Sequence, residues 1–248
     1  MNRLALIVLL STAFVSLAVA DEPTAGKQVE AKLKVSDQQE VPYLFYLPKD
    51  YDPTKKHPLI LFLHGRGESN GPLRIVAQWG PPRMAARGDK LKYIVVSPQC
   101  PRENRWTDES QQSGVLSLLD HVVKNYSVDT ERVYLTGLSL GGHGTWKMAA
   151  DHPDRFAAAA PVCGTGDPNN ASKLTDLPIW VFHGDQDLSV PFDDSVKMVE
   201  AITAAGGSKV RFTSLENVGH NSWSAAYATP ELYQWFDKHT RSGAKGTD

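Results

Sequence analysis

Ser139 stands in Gly137-Leu138-Ser139-Leu140-Gly141, a serine bracketed by two glycines. An apolar strand-like run, Arg132 to Thr136, leads in, and a helix-like stretch through Trp146, Lys147, Met148 and Ala149 leads out. A serine on such a strand–turn–helix elbow is held in a strained backbone with its hydroxyl clear of the sheet. An ordinary serine in a glycine-rich turn would share the five-residue pattern; the strand before and the helix after set this one apart. A serine hydroxyl is a weak nucleophile until a base takes its proton, and imidazole, titrating near neutrality, suits that task. The imidazole in turn needs a carboxylate to fix its tautomer and stabilise its charge.

For an elbow of this kind the chain order is Ser, then Asp or Glu, then His. His143 and His152 fall on the helix after the elbow, and His183 precedes the best acids. His239 lies at the end of a charged terminal helix beside Lys238, where a solvated role is expected. His220, in Val218-Gly219-His220-Asn221-Ser222-Trp223, follows the last strand-like run and is the candidate base. The acid is sought after Ile179–Phe182, where Asp185 and Asp187 both stand. A turn is needed before a carboxylate can face back to the sheet edge, so Asp187 is better placed, with Asp185 a turn residue and Glu216 a third choice.

These side chains need a scaffold. Alternation over Val29–Val35 and Val41–Leu47 reads as two half-buried strands joined by a hairpin at Ser36–Gln39. Leu59–Leu63 and Tyr93–Ser97 are continuous apolar runs, as in strands buried on both faces. Further strands are expected at Phe156–Val162, Ile179–Phe182 and Lys209–Leu215. Helices are expected near Pro82–Arg87 and over Gln112–Tyr126, Ser195–Ala205 and Pro230–Thr240. Strands alternating with helices imply an α/β domain: a mainly parallel, twisted sheet with helices on both faces and an antiparallel N-terminal edge. The Gly164–Leu177 connection is too short to carry a large cap over the site.

The chain has 248 residues, 41% of them hydrophobic, and a net charge of −2. That is enough for one domain with a substantial core, and it offers no electrostatic footprint for nucleic acid. Arg3, the apolar Leu4–Leu10 and the Ala18-Val19-Ala20 ending read as a signal peptide over 1–20. On that reading the protein is secreted or periplasmic, with no stable membrane anchor after cleavage. The catalytic domain is expected over 21–240 and a loose tail over 241–248. Cys100 and Cys163 are the only cysteines. Export would permit a disulfide between them, though two cysteines do not establish one, and their spacing argues against a metal site.

The motifs Gly137-Leu138-Ser139-Leu140-Gly141, His64-Gly65-Arg66-Gly67, His183-Gly184-Asp185-Gln186-Asp187-Leu188-Ser189-Val190-Pro191 and Gly219-His220-Asn221-Ser222-Trp223 resemble the α/β-hydrolase superfamily. Within it they are most similar to phospholipase/carboxylesterase and dienelactone-hydrolase-like secreted esterases, including the feruloyl-esterase and predicted-peptidase groups. The likeness runs from about Tyr43 to Phe236. It implies an α/β-hydrolase fold and a triad of Ser139, Asp187 and His220. It also implies an oxyanion hole from the amides of Leu140 and Arg66, with Gly67 in reserve. The dienelactone hydrolases proper carry a cysteine nucleophile, where this chain has Ser139. Neither a cofactor nor a metal is implied. Trp106 and Trp223, on loops near the site, are expected to wall the substrate, Trp223 also packing on His220. Trp79 and Trp146 are expected to pack, and His64 to be a structural strand-end residue. The expected activity is cleavage of carboxylic esters, small or polymer-linked. The rivals are a serine peptidase of the same fold and an idle binding protein on a hydrolase scaffold.

Overall fold

A computed structural model describes residues 23–241; residues 1–22, which include the segment expected to be a signal peptide, and residues 242–248 lie outside the described residues. Eight strands form one open sheet in the order β1-β2-β4-β3-β5-β6-β7-β8. These are β1 Gln28–Lys34, β2 Glu40–Tyr46, β3 His57–Leu63, β4 Ile94–Pro98, β5 Val128–Leu138, β6 Ala158–Val162, β7 Ile179–Gly184 and β8 Val210–Leu215. β1 pairs antiparallel with β2, and β2 antiparallel with β4; every pairing from β4 through β3 to β8 is parallel. The helices are α1 Gly80–Ala86, α2 Glu109–Asn125, α3 Leu140–Asp151, α4 Phe192–Ala204, α5 Trp223–Ala228 and α6 Pro230–Asp237.

The apolar runs explain the two layers of helix. Successive side chains of a strand point to opposite faces. Leu59, Leu61 and Leu63 of β3 therefore join one core, with Val115 and Leu118 of α2, Trp146 of α3 and Met198 of α4. Ile60 and Phe62 join the other, with Ala85 of α1, Tyr227 of α5 and Phe236 of α6. A run polar on alternate positions could not have supplied both. This is the α/β-hydrolase arrangement.

Four details differ from the sequence expectation. β5 begins at Val128, so the partly exposed Asp129–Arg132 extend the strand beyond its apolar half. The short helix α5 follows His220 where a loop was expected. Arg241 is not part of a loose tail: its amide donates to the Glu131 carbonyl at 2.8 Å and its guanidinium to the Asp154 carbonyl at 2.7 Å. His239 is half-buried rather than solvated, its ring 4.7 Å from that of Trp235. Between β6 and β7 the chain makes one 3-10 stretch, Pro168–Leu174.

Candidate active site

The C-terminal ends of β5, β7 and β8 lie on one edge of the sheet and carry the three candidate residues on the segments that follow them. Ser139 occupies φ 52° and ψ −114°, a left-handed conformation that costs a non-glycine residue about 1–3 kcal/mol. Its amide donates to the Val162 carbonyl of β6 at 2.9 Å, which anchors the turn. The turn is also sealed backbone to backbone. A Cβ on Gly141 would stand 1.9 Å from the Leu63 carbonyl oxygen, and one on Gly137 would stand 2.5 Å from that of Gly141. No side chain fits at either place.

The loop after β7 is stitched to the loop after β8. The Gln186 amide donates to the Val218 carbonyl at 2.9 Å. Gly184 permits this closeness, since a Cβ there would lie 2.2 Å from the same oxygen. Asp187 Oδ1 accepts the amides of Ser189 at 2.8 Å and Val190 at 3.0 Å. Its other oxygen, Oδ2, accepts from His220 Nδ1 at 2.7 Å, and His220 Nε2 lies 2.9 Å from Ser139 Oγ. A carboxylate only accepts, so the imidazole proton belongs on Nδ1, leaving Nε2 to receive the serine proton. The Asp187 side chain is fully buried and that of His220 is 26% exposed. Burial alone would raise the Asp187 pKa, but the His220 bond and the two amides outweigh it and hold the carboxyl below its ordinary range. Asp185 and Glu216 take no part in this linkage; Glu216 is exposed and the Asp185 amide bonds the Leu215 carbonyl.

Leu140 opens α3 and Arg66 opens the 3-10 turn that follows Gly65. Amides in first positions of helical turns have no intrahelical acceptor. The Arg66 guanidinium turns away, donating to the carbonyls of Arg102 at 2.5 Å and Asn104 at 2.9 Å, and so ties this loop to the one after β4. His64 does the same from below. Its Nε2 accepts the Cys100 amide at 2.9 Å and its Nδ1 donates to the Gly65 carbonyl at 2.6 Å. That fixes a neutral ring, and burial lowers its pKa to about 4.

Trp106 does not wall the substrate. It is 1% exposed, its indole N–H donates to the His64 carbonyl at 2.9 Å, and its backbone carbonyl is taken by the Gln112 side chain. Gly144 of α3 leaves the space its Cβ fills. A loop tryptophan reads as exposed only until its opposite number is known. Trp223 meets His220 edge-to-face at 5.2 Å and Trp79 edge-to-face at 6.0 Å. Trp79 and Trp223 then line one end of a groove of about 540 Å³ between α1, α5 and α6; the three candidate residues lie outside it.

Both cysteines are free and buried, so the bridge that export would permit is not made. Cys163 presents its sulfur within 4.8 Å of ligand atoms of Asp187 and His220. Burial pushes that thiol up to about 12, keeping it protonated, while Asp187 and His220 are engaged with each other. This donor set does not suit a resident metal ion.

Residues 36–228 match the family model described as "Putative esterase". A "Probable feruloyl esterase C" of Aspergillus flavus is 26% identical over 231 residues, covering 87% of this chain and 80% of its own. A poly(3-hydroxyalkanoate) depolymerase C of Paucimonas lemoignei is 32% identical over 120 residues, 43% of this chain and 28% of its own. A crystal structure of a thermostable esterase superposes with a TM-score of 0.75 at 33% identity, covering 87% of this chain and 64% of that one. The chain thus spans little more than a quarter of the depolymerase. A serine elbow, an imidazole and a buried carboxylate at one edge of the sheet, in a chain matched by the family over most of its length, lead to one assignment: the chain belongs to the esterase family, on the α/β-hydrolase fold.

Proposed function

We propose that the chain is a secreted or periplasmic serine esterase working through Ser139, His220 and Asp187. The observation that carries this is the unbroken linkage from Ser139 Oγ to His220 at 2.9 Å and on to Asp187 at 2.7 Å. His220 takes the hydroxyl proton as Oγ attacks the ester carbonyl carbon. The amides of Leu140 and Arg66 receive the developing oxyanion. Collapse of the tetrahedral intermediate breaks the carbon–oxygen bond of the alcohol, which leaves with the proton from His220. Water then attacks the acyl-serine by the same route in reverse, releasing the acid and restoring Ser139. Asp187 stays ionised throughout, in keeping with its lowered pKa.

The connection between β6 and β7 carries only one 3-10 stretch, and the groove behind Trp79 and Trp223 is walled by the ring that meets His220 at 5.2 Å. Bulky aryl or polymer-linked esters fit such a site, and the depolymerase and feruloyl-esterase relatives support that class. Ser139→Ala should abolish turnover of p-nitrophenyl acetate and labelling by a fluorophosphonate; retained turnover would reject the assignment. A panel of acetylated sugars, feruloyl esters and polyesters tests the substrate class, which fails if only small soluble esters are cleaved. Secretion rests on the pattern of residues 1–20, and the mature protein should begin at Asp21 on N-terminal sequencing.

A further inference from the structure

Behind the candidate acid stands a second imidazole. His183 is the last side chain of β7 before Gly184, and it is fully buried. Its Nε2 lies 3.1 Å from the Val190 carbonyl and 3.2 Å from Asp187 Oδ2. Both partners only accept, so Nε2 carries the proton. Its Nδ1 lies 2.7 Å from Ser195 Oγ at the start of α4, and the serine hydroxyl donates to it. The two acceptors at Nε2 therefore fix the tautomer, and the Ser195 hydroxyl, able to donate or accept, holds the ring at its other nitrogen. The result is that one oxygen, Asp187 Oδ2, takes an N–H from His183 and another from His220, while Oδ1 takes two backbone amides. No freedom of rotation is left to the carboxylate.

We propose that His183 is a positioning residue. Held in one tautomer by the acceptors at its Nε2 and in place by Ser195, it locks Asp187 Oδ2 onto His220 Nδ1 and sets the proton affinity of His220 by drawing charge from the shared oxygen. This rests on the triad reading above. A carboxylate relieved of one charge-assisted donor is a stronger partner for an imidazolium. Removing the His183 donor should thus make His220 more basic and leave Asp187 less well aimed. The titratable groups facing the His220 ring are Asp187 and His183 from β7 and its loop, His143 from α3 and Cys163 from the end of β6. Facing His183 are Asp187 and His220, with the uncharged ring of Phe192 at its edge. Burial keeps His183 itself neutral, its pKa lowered.

The test compares His183→Phe, which keeps a ring and removes the donor, with His183→Gln, whose amide N–H reaches the place of Nε2. For His183→Phe the acid limb of the kcat/KM profile should move up by about one pH unit. Its kcat should fall about tenfold with KM within about twofold. His183→Gln should recover most of both. Ser195→Ala, which keeps the ring but removes its hydrogen bond at Nδ1, should loosen its aim and shift the limb the same way by less. It serves as the readout if His183→Phe does not fold. An unmoved acid limb in the folded variants, or Gln and Phe variants equally impaired, overturns the proposal. An inactive Ser139→Ala alongside an unmoved limb overturns only the role of His183; an active Ser139→Ala overturns the triad reading with it.

Discussion

Replacing Asp187 by Asn changes one atom, and the surroundings dictate the outcome. The two backbone amides on Oδ1, from Ser189 and Val190, demand an oxygen there. If the new amide turned its NH₂ to them, two donors would face donors. It therefore presents its oxygen to Ser189 and Val190 and its NH₂ to His220 Nδ1, at the place where Oδ2 accepted at 2.7 Å. His183 also meets this NH₂, but its Nε2–H keeps the Val190 carbonyl at 3.1 Å as an acceptor. His220 Nδ1 has no such second acceptor to turn to. With Nδ1 forced to accept, its proton goes to Nε2 and points at Ser139 Oγ, 2.9 Å away. The proposed base is then blocked by its own hydrogen. A wrong tautomer of this kind costs about 10⁴-fold in kcat, equivalent to about 5 kcal/mol of activation free energy. The assay is kcat on p-nitrophenyl acetate, with circular dichroism and thermal melting to show the variant folded. A loss below about tenfold in a folded variant, far short of that figure, would refute the tautomer argument.

Two further outcomes follow from the packing. Because His64 is neutral in the folded chain down to about pH 4 while an unfolded histidine takes a proton below about 6.5, the unfolded state binds more protons in that window. Stability should therefore fall by about 3 kcal/mol from this ring alone as pH drops from 6.5 to 4. Urea unfolding across that range checks it, and His64→Gln should flatten the slope; an identical slope in the variant contradicts the account. Trp106→Phe should lose about 1–3 kcal/mol of stability by orphaning the His64 carbonyl, with KM for small esters unchanged, since the indole lies in the core. A change in substrate preference without loss of stability would return Trp106 to the substrate wall.

The sheet and the elbow were legible because strong local signals coincide there. Leu59–Leu63 is apolar at every position, and Gly137 and Gly141 punctuate a strand–helix junction. That Ser139, Asp187 and His220 would come within hydrogen-bonding reach was legible for the same reason: each follows a recognisable strand. What sequence could not supply was the partner across a gap. Trp106 is buried because Gly144, thirty-eight positions on, leaves it space. His183 looked idle because its donors and acceptors, Ser195 and Val190, come from the following loop and helix. Helix α5 is six residues long and hides behind a Gly-His-Asn-Ser turn. Arg241 is polar and near the chain end, and only the tertiary fold brings Glu131 and Asp154 to it.

The contacts at Gly141 and Gly184, main chain pressed on main chain, bear on how such a chain can diversify. Neither position can be enlarged without moving a strand end or a neighbouring loop, so new substrates cannot be reached through them. Variation has to be written into exposed positions of the loops at this edge of the sheet, in segments such as 102–105 and 221–224. A library aimed at altered selectivity belongs in those segments and should leave both glycines alone.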